Sequence, residues 1–200
     1  MVSNITMIRN FVIALPVVLL IAAAPLSGAE NGANAGGLQV KDIDNKTYRL
    51  DDGSRRASVL LFIAHDCPIA NTYAPEIKRI CRQYGARGVR FILVYSEADI
   101  TAESARKHAA DYGYMCPIVL DANHSLARKL HATVTPEAVV LDSKGKQAYR
   151  GRIDDLYADV GTRRYEVSRH DLRLALDALL NGKKISPATT RAVGCIIPTK

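Results

Sequence analysis

Two uninterrupted apolar runs of strand length, residues 57–64 (ASVLLFIA) and Val89–Tyr95 (VRFILVY), constrain this chain more than any other feature. A strand with one wet face alternates apolar and polar residues, so continuous runs predict strands covered on both sides. Between them Tyr73, Ile77, Ile80, Cys81 and Tyr84 recur at helical spacing and stop at Gly85 and Gly88, which predicts a helix with one buried stripe. A second helix over residues 101–112 leads to a short strand at 116–120 and a short helix through Leu126 and Leu130. Strand and helix alternating in this way imply a parallel sheet with right-handed crossovers. Residues 137–141 and 147–151 flank Asp142-Ser143-Lys144-Gly145-Lys146, a hairpin that makes the sheet mixed. Residues 38–40 and 48–50, around Asp44-Asn45-Lys46, form a small hairpin upstream. The last helix is expected to take Ser168 as its cap and Asp171 three residues on, with Leu172, Ala175, Leu176, Leu179 and Leu180 as its inner stripe and Gly182 beyond it. The fold class is α/β.

With 48% hydrophobic residues the 200-residue chain can bury a full core, which excludes a disordered protein, and the absence of Trp makes that core aliphatic. The net charge of +7 is spread in pairs such as Arg55-Arg56, Arg163-Arg164 and Lys183-Lys184, so it describes a solvated surface and not a nucleic-acid site. Residues 1–10 carry one charge, Arg9, and the apolar run 11–24 behind them spans about 21 Å as a helix, short of a roughly 30 Å hydrocarbon core. Residues 1–29 therefore read as a secretory signal, with Ser27-Gly28-Ala29 before a cleavage at Glu30. An uncleaved anchor reaching Leu26 is the alternative. Residues 30–37 are a linker, and residues 38–200 the domain, with its tail at 183–200. Cleavage would leave no stable membrane span and a periplasmic or secreted protein, with all four cysteines in an oxidising compartment.

The chemistry concentrates in His65-Asp66-Cys67-Pro68-Ile69-Ala70-Asn71-Thr72-Tyr73, where a cysteine stands between a buried strand and the first turn of a helix. Unpaired amides and the positive end of the helix dipole favour an anion there, and a thiolate is the nucleophile of disulfide exchange and of peroxide reduction. His65 adds to that effect when protonated, and with Cys67 it also permits a metal reading, copper or zinc. His124, His131 and His170 fit helix caps or the surface, and Asp154-Asp155 a turn. No nucleotide fingerprint or hydrolase elbow is present, so neither a cofactor nor a resident metal is assigned.

The order of elements, with Cys67-Pro68-Ile69-Ala70 at the strand–helix junction, Pro75 eight residues after the cysteine and Thr135-Pro136 before an apolar strand, resembles the thioredoxin superfamily, and within it the AhpC/TSA-like redoxin group. Gly151-Arg152-Ile153-Asp154-Asp155 and Ala192-Val193-Gly194-Cys195-Ile196 are similar to a secreted bacterial branch of that group. The resemblance covers residues 40–197. It implies a thioredoxin-like fold, a central mixed sheet flanked by helices with an N-terminal β-hairpin and an extra strand–helix insert. It also implies a thiol-dependent oxidoreductase or thiol-based antioxidant with Cys67 as nucleophile. Pro136 would be cis, with Pro68, Thr135 and His65 beside the substrate and the Thr135 backbone open to an extended substrate strand. The partner would be a thiol or disulfide protein, or a small thiol as electron donor.

Two departures qualify this. Ala70 stands where a thioredoxin has its second cysteine, so another thiol must release an intermediate on Cys67. Cys81 lies 14 residues on and reads as core, as does Cys116. Cys195, in a tail expected to be mobile, can reach back as resolving thiol; an intermolecular link or a permanent structural disulfide are its alternatives. Typical peroxiredoxins also carry Pro seven and Thr three residues before the reactive cysteine, where this chain has Leu60 and Ala64. The rival readings are a peroxiredoxin-like hydroperoxide reductase and a redox-inert copper-binding module.

Overall fold

The computed structural model describes Met1 and residues 37–198. The chain divides into two units, Met1–Ala33 and Asn34–Lys200. The described residues from 37 onward belong to the second. The signal segment, and the linker up to residue 36, lie outside the described residues apart from Met1. Among the described residues no helix is long and apolar enough to cross a membrane.

Strand β3 (Ala57–Ile63) is buried along its whole length and lies at the centre of a five-stranded sheet. It pairs in parallel with β4 (Val89–Tyr95), which pairs in parallel with β5 (Ile118–Leu120). On its other side it runs antiparallel to β7 (Glu137–Asp142), which pairs with β8 (Gln147–Gly151) in the hairpin. The order is β5-β4-β3-β7-β8, a mixed sheet with an antiparallel edge. The upstream hairpin, β1 (Gln39–Lys41) and β2 (Thr47–Arg49), and a ribbon of β9 (Tyr157–Asp159) and β10 (Thr162–Arg163) form separate two-stranded pairs.

Because successive side chains point to opposite faces, the run in β3 feeds two cores. Val59, Leu61 and Ile63 pack with Ile77, Ile80 and Tyr84 of helix α2 (Ala74–Gly85), Ala105 of α3 (Ala102–Asp111) and Leu172 and Leu176 of α5 (Asp171–Leu180). Leu60 and Phe62 face Leu126, Ala127 and Leu130 in or beside α4 (Ser125–Leu130), together with Val40, Leu50 and Ile197. Lack of polar alternation in β3 is thus the mark of cover on both sides.

The first predicted helix is divided. A short α1 (Pro68–Thr72) ends at Tyr73, which also caps α2. Pro75, near the start of α2, has no amide hydrogen to continue the ladder, which is why the break falls there. The last helix corrects a second expectation. Its cap is His170 and Asp171 is its first residue. Ser168 instead donates its amide and hydroxyl to Asp155. Burial alone would raise the Asp155 carboxyl, but the Ser168 hydroxyl, the amides of Arg169 and Ser168 and the nearby Arg152 hold it down to about 2. Asp154 and Asp155 therefore fasten the loop before α5, with Tyr73 donating to the Asp154 carbonyl. His124 and His131 cap the two ends of α4.

Candidate active site

Cys67 follows the end of β3 by four residues and is the N-cap of α1 in an extended conformation (φ −85°, ψ 108°). Its sulfur accepts from the Ala70 amide at 3.5 Å. The helix it caps has five residues, so the sulfur is served by this local amide and not by a long dipole. On the other side Sγ lies 3.2 Å from the carbonyl oxygen of Thr135. The Thr135–Pro136 peptide bond is cis. Pro68, at the first position of α1, is exposed.

Cys67 is joined to Cys195 by a disulfide, with the two Cα atoms 6.1 Å apart, inside the usual range for such a bond. The partner arrives on a strand. Strand β11 (Cys195–Ile196) runs antiparallel to β6 (Val134–Thr135), with Cys195 opposite Thr135 and Ile196 opposite Val134. The Ile197 amide then donates to the Thr133 carbonyl at 2.9 Å, and the Ile197 side chain is buried in the second core. Gly194 passes so close that a Cβ there would run into the Thr135 carbonyl. The chain's own tail thus occupies the place beside Thr135 where an extended substrate strand is expected. It is this cover that leaves Cys67 only 1% exposed.

The tail departs from the expectation of a mobile segment. The Arg150 amide donates to Ala188 and the Thr190 amide to Arg150, both at 3.0 Å. The Thr190 hydroxyl lies 2.6 Å from Tyr149 Oη and accepts from the Arg152 amide. Residues 188–190 are thereby laid along the open edge of β8 before the chain crosses to Cys67, as an exposed edge invites.

His65 stands at the rim, exposed, with Nδ1 2.8 Å from a Glu97 carboxylate oxygen. Its ring thus engages an acid, while the hydrogen-bond partners of the Cys67 sulfur are the Ala70 amide and the Thr135 carbonyl. Together His65, Asp66 and Glu97 bring ligand atoms within 4.8 Å of one another, and one Glu97 oxygen is buried without a partner. That set offers nitrogen and oxygen without sulfur, which does not match the soft donors copper(I) prefers, and the Cys67 sulfur is bonded to Cys195.

Three supporting features went unforeseen in the sequence. Asn71 of α1 donates to the His65 carbonyl at 3.0 Å, and its side-chain oxygen lies 2.9 Å from His108 Nε2. His108 Nδ1 meets Tyr95 Oη at 2.7 Å, so a hydrogen-bonded chain runs from the buried β4 through α3 and Asn71 to the loop before Cys67. Burial pushes the His108 imidazole below its ordinary pKa, an effect increased by His65. A polar residue sharing the inward stripe of α3 with Ala105 and Ala109 was the available signal. Glu137, buried, accepts from the Thr133 amide at 2.7 Å and the Val134 amide at 3.4 Å and holds the strand before Pro136 in place.

Cys81 and Cys116 are both half-buried against the first core, as packing residues would be, but their sulfurs lie 3.4 Å apart. Their meeting was not foreseen.

The model of the AhpC/TSA family matches residues 32–150, a span that contains Cys67, Thr135 and Pro136. The chain belongs to the AhpC/TSA family. This AhpC/TSA protein carries Cys195 beyond the matched span, on the tail described above. Comparison with curated proteins finds no match. Among solved structures it is similar to an uncharacterized conserved protein from Geobacillus kaustophilus, at 29% identity over 83% of this chain and 90% of that one, with a TM-score of 0.71. A hypothetical protein from Sinorhizobium meliloti 1021 is similar at 25% identity over 83% and 92% of the two chains, also with a TM-score of 0.71. A thioredoxin-like protein from Aeropyrum pernix shares the fold at 22% identity, over 57% and 80%, with a TM-score of 0.50. The AhpC/TSA core is therefore thioredoxin-like.

Proposed function

We propose that this protein is a thiol–disulfide oxidoreductase in which Cys67 is the nucleophile and Cys195 the resolving thiol. The observation that carries the reading is the Cys67–Cys195 bond formed beside Thr135 and Pro136 by a strand paired to β6. In the reduced protein the Cys67 thiolate attacks one sulfur of a client disulfide, forms a mixed disulfide and expels the other sulfur as a thiolate. Cys195 then attacks the Cys67 sulfur and the second client sulfur leaves. The client gains two electrons and two protons, and the protein is left with the Cys67–Cys195 bond. A thiol donor, protein or small molecule, reduces that bond to close the cycle.

The paired tail makes this cycle competitive. A client strand and β11 need the same Thr135 backbone groups, so a client binds only while the tail is lifted. Lifting it costs the two-residue pairing and the burial of Ile197, about 1.5–3 kcal/mol for that side chain. Cleavage of the 1–29 segment would deliver the protein to the periplasm or outside the cell, where disulfide clients occur.

Turnover of a disulfide client by a dithiol donor tests the assignment. Cys67→Ser is expected to reduce it to background, and Cys195→Ser to accumulate a mixed disulfide on Cys67 that mass spectrometry detects; full turnover by the Cys67 variant would reject the assignment. Peroxidase activity is the second reading, favoured by membership of the AhpC/TSA family. Leu60 and the buried Ala64 supply neither the proline nor the hydroxyl typical of that activity. Rapid sulfenylation of reduced Cys67 by hydrogen peroxide would support that second reading.

A further inference from the structure

Cys81 and Cys116 lie away from Cys67, at the other end of α2 and in the loop before β5, and they line a cavity of about 480 Å³. Five cationic side chains border that cavity, Lys46, Arg55, Lys78, Arg82 and Arg90, and among the described residues no carboxylate is in its lining. Among the described residues none of the five makes an ion pair. Arg90 instead donates to the Arg49 carbonyl and the Ser54 hydroxyl, and its guanidinium and the Lys46 ammonium both lie over the Tyr48 ring. The remainder of the lining includes Phe91 and Tyr114. A pocket with uncompensated positive charge and apolar walls suits a small organic anion.

We propose that Cys81 and Cys116 are a second redox-active dithiol, whose substrates are low-molecular-weight disulfides bearing carboxylates, held in this basic cavity. The sulfurs are 3.4 Å apart and unbonded, within reach of each other by a small side-chain movement. Cys116 is the attacking sulfur. The hydrogen bond between the two sulfurs lowers the Cys116 thiol below its ordinary pKa, while that same bond, together with burial, pushes the Cys81 thiol up. The Cys116 thiolate attacks one sulfur of the disulfide RS–SR, forming Cys116–S–SR and releasing RS⁻. Cys81 gives up its proton to solvent and attacks the Cys116 sulfur, expelling the second RS⁻. The two leaving thiolates take up two protons, so the dithiol loses two electrons and the disulfide becomes two RSH.

The test uses the double variant Cys67→Ser/Cys195→Ser, which leaves Cys81 and Cys116 as the only thiols. Oxidised glutathione, with net negative charge, and cystamine, a dication, are compared as oxidants, and the Cys81–Cys116 link is read by alkylation and mass spectrometry. The expected result is a link formed about tenfold or more faster with oxidised glutathione, an advantage that shrinks with added salt and shrinks again in Lys78→Glu/Arg82→Glu. No link with oxidised glutathione, or equal rates with the two oxidants, overturns the proposal. Peptide mapping of the natural full chain after exposure to oxidised glutathione reads the same link without the serine substitutions. Its absence there is equally fatal. Because Cys67 is missing from the first experiment, its outcome is independent of the role assigned to Cys67.

Discussion

The two cysteine pairs of this protein differ in how they are covered. Cys67 and Cys195 sit at the end of β3 under a strand of the chain's own tail, held by a backbone hydrogen bond from Ile197 to Thr133 and by pairing to Thr135. Cys81 and Cys116 open onto a cavity rimmed by cations that make no ion pair among the described residues. On the proposed cycle the first pair would be reached by replacing one strand with another and would select extended polypeptide. On the proposal for the second, access would be by charge and size and would select small anions. One fold thus offers two kinds of access to sulfur, because backbone donors and acceptors recognise shape while side-chain charge recognises charge.

The largest expected effect is loss of client turnover in Cys67→Ser, and retained turnover would break this contrast. Replacing Cys81 and Cys116 by serine should leave reduction of a protein client within about twofold, and the two variants together separate the sites. A smaller effect is expected from Ile197→Ala. Removing that anchor from the second core should cost the tail about 1.5–3 kcal/mol and speed reduction of the Cys67–Cys195 bond by an external thiol more than tenfold, without altering the rate at Cys81 and Cys116. An unchanged reduction rate in a stopped-flow assay would mean that the tail does not gate access. The smallest effect concerns pH. His108 has a folded pKa below its unfolded value of 6.5, because burial penalises the cation. The unfolded chain therefore binds the proton first, and stability falls as pH drops from about 6.5 towards the lower folded value. His108→Gln should flatten that part of the stability curve in chemical denaturation, and hydrogen exchange should show the loop around His65 loosening on acidification while Cys116 and its neighbours do not change.

Much of the scaffold was legible in the sequence because it depends on local periodicity. The bounds of β4 and the two edges of the hairpin β7–β8 follow from apolar runs and a turn. Cys67 at a strand–helix junction was legible for the same reason, whereas the break near Pro75 divides what the periodicity presents as one helix. The cap of α5 was not, since Ser168 serves Asp155, a partner 13 residues away that competes with the helix for its hydroxyl. Cys81 was read as core because its distance along one helix from Cys67 was the measure applied, whereas its neighbour is a residue 35 positions on, brought beside it through β4 and α3.

The sequence by itself determined which segments are strand or helix and which cysteine stands at a helix start, because periodicity and capping act over a few residues. Only the tertiary structure decided that Cys195 lies on β6, that Glu137 and His108 brace the loops around Cys67, and that Cys116 meets Cys81. Those contacts close long loops, and which ends meet is set by how both cores pack against the sheet, a condition that no short window of residues contains.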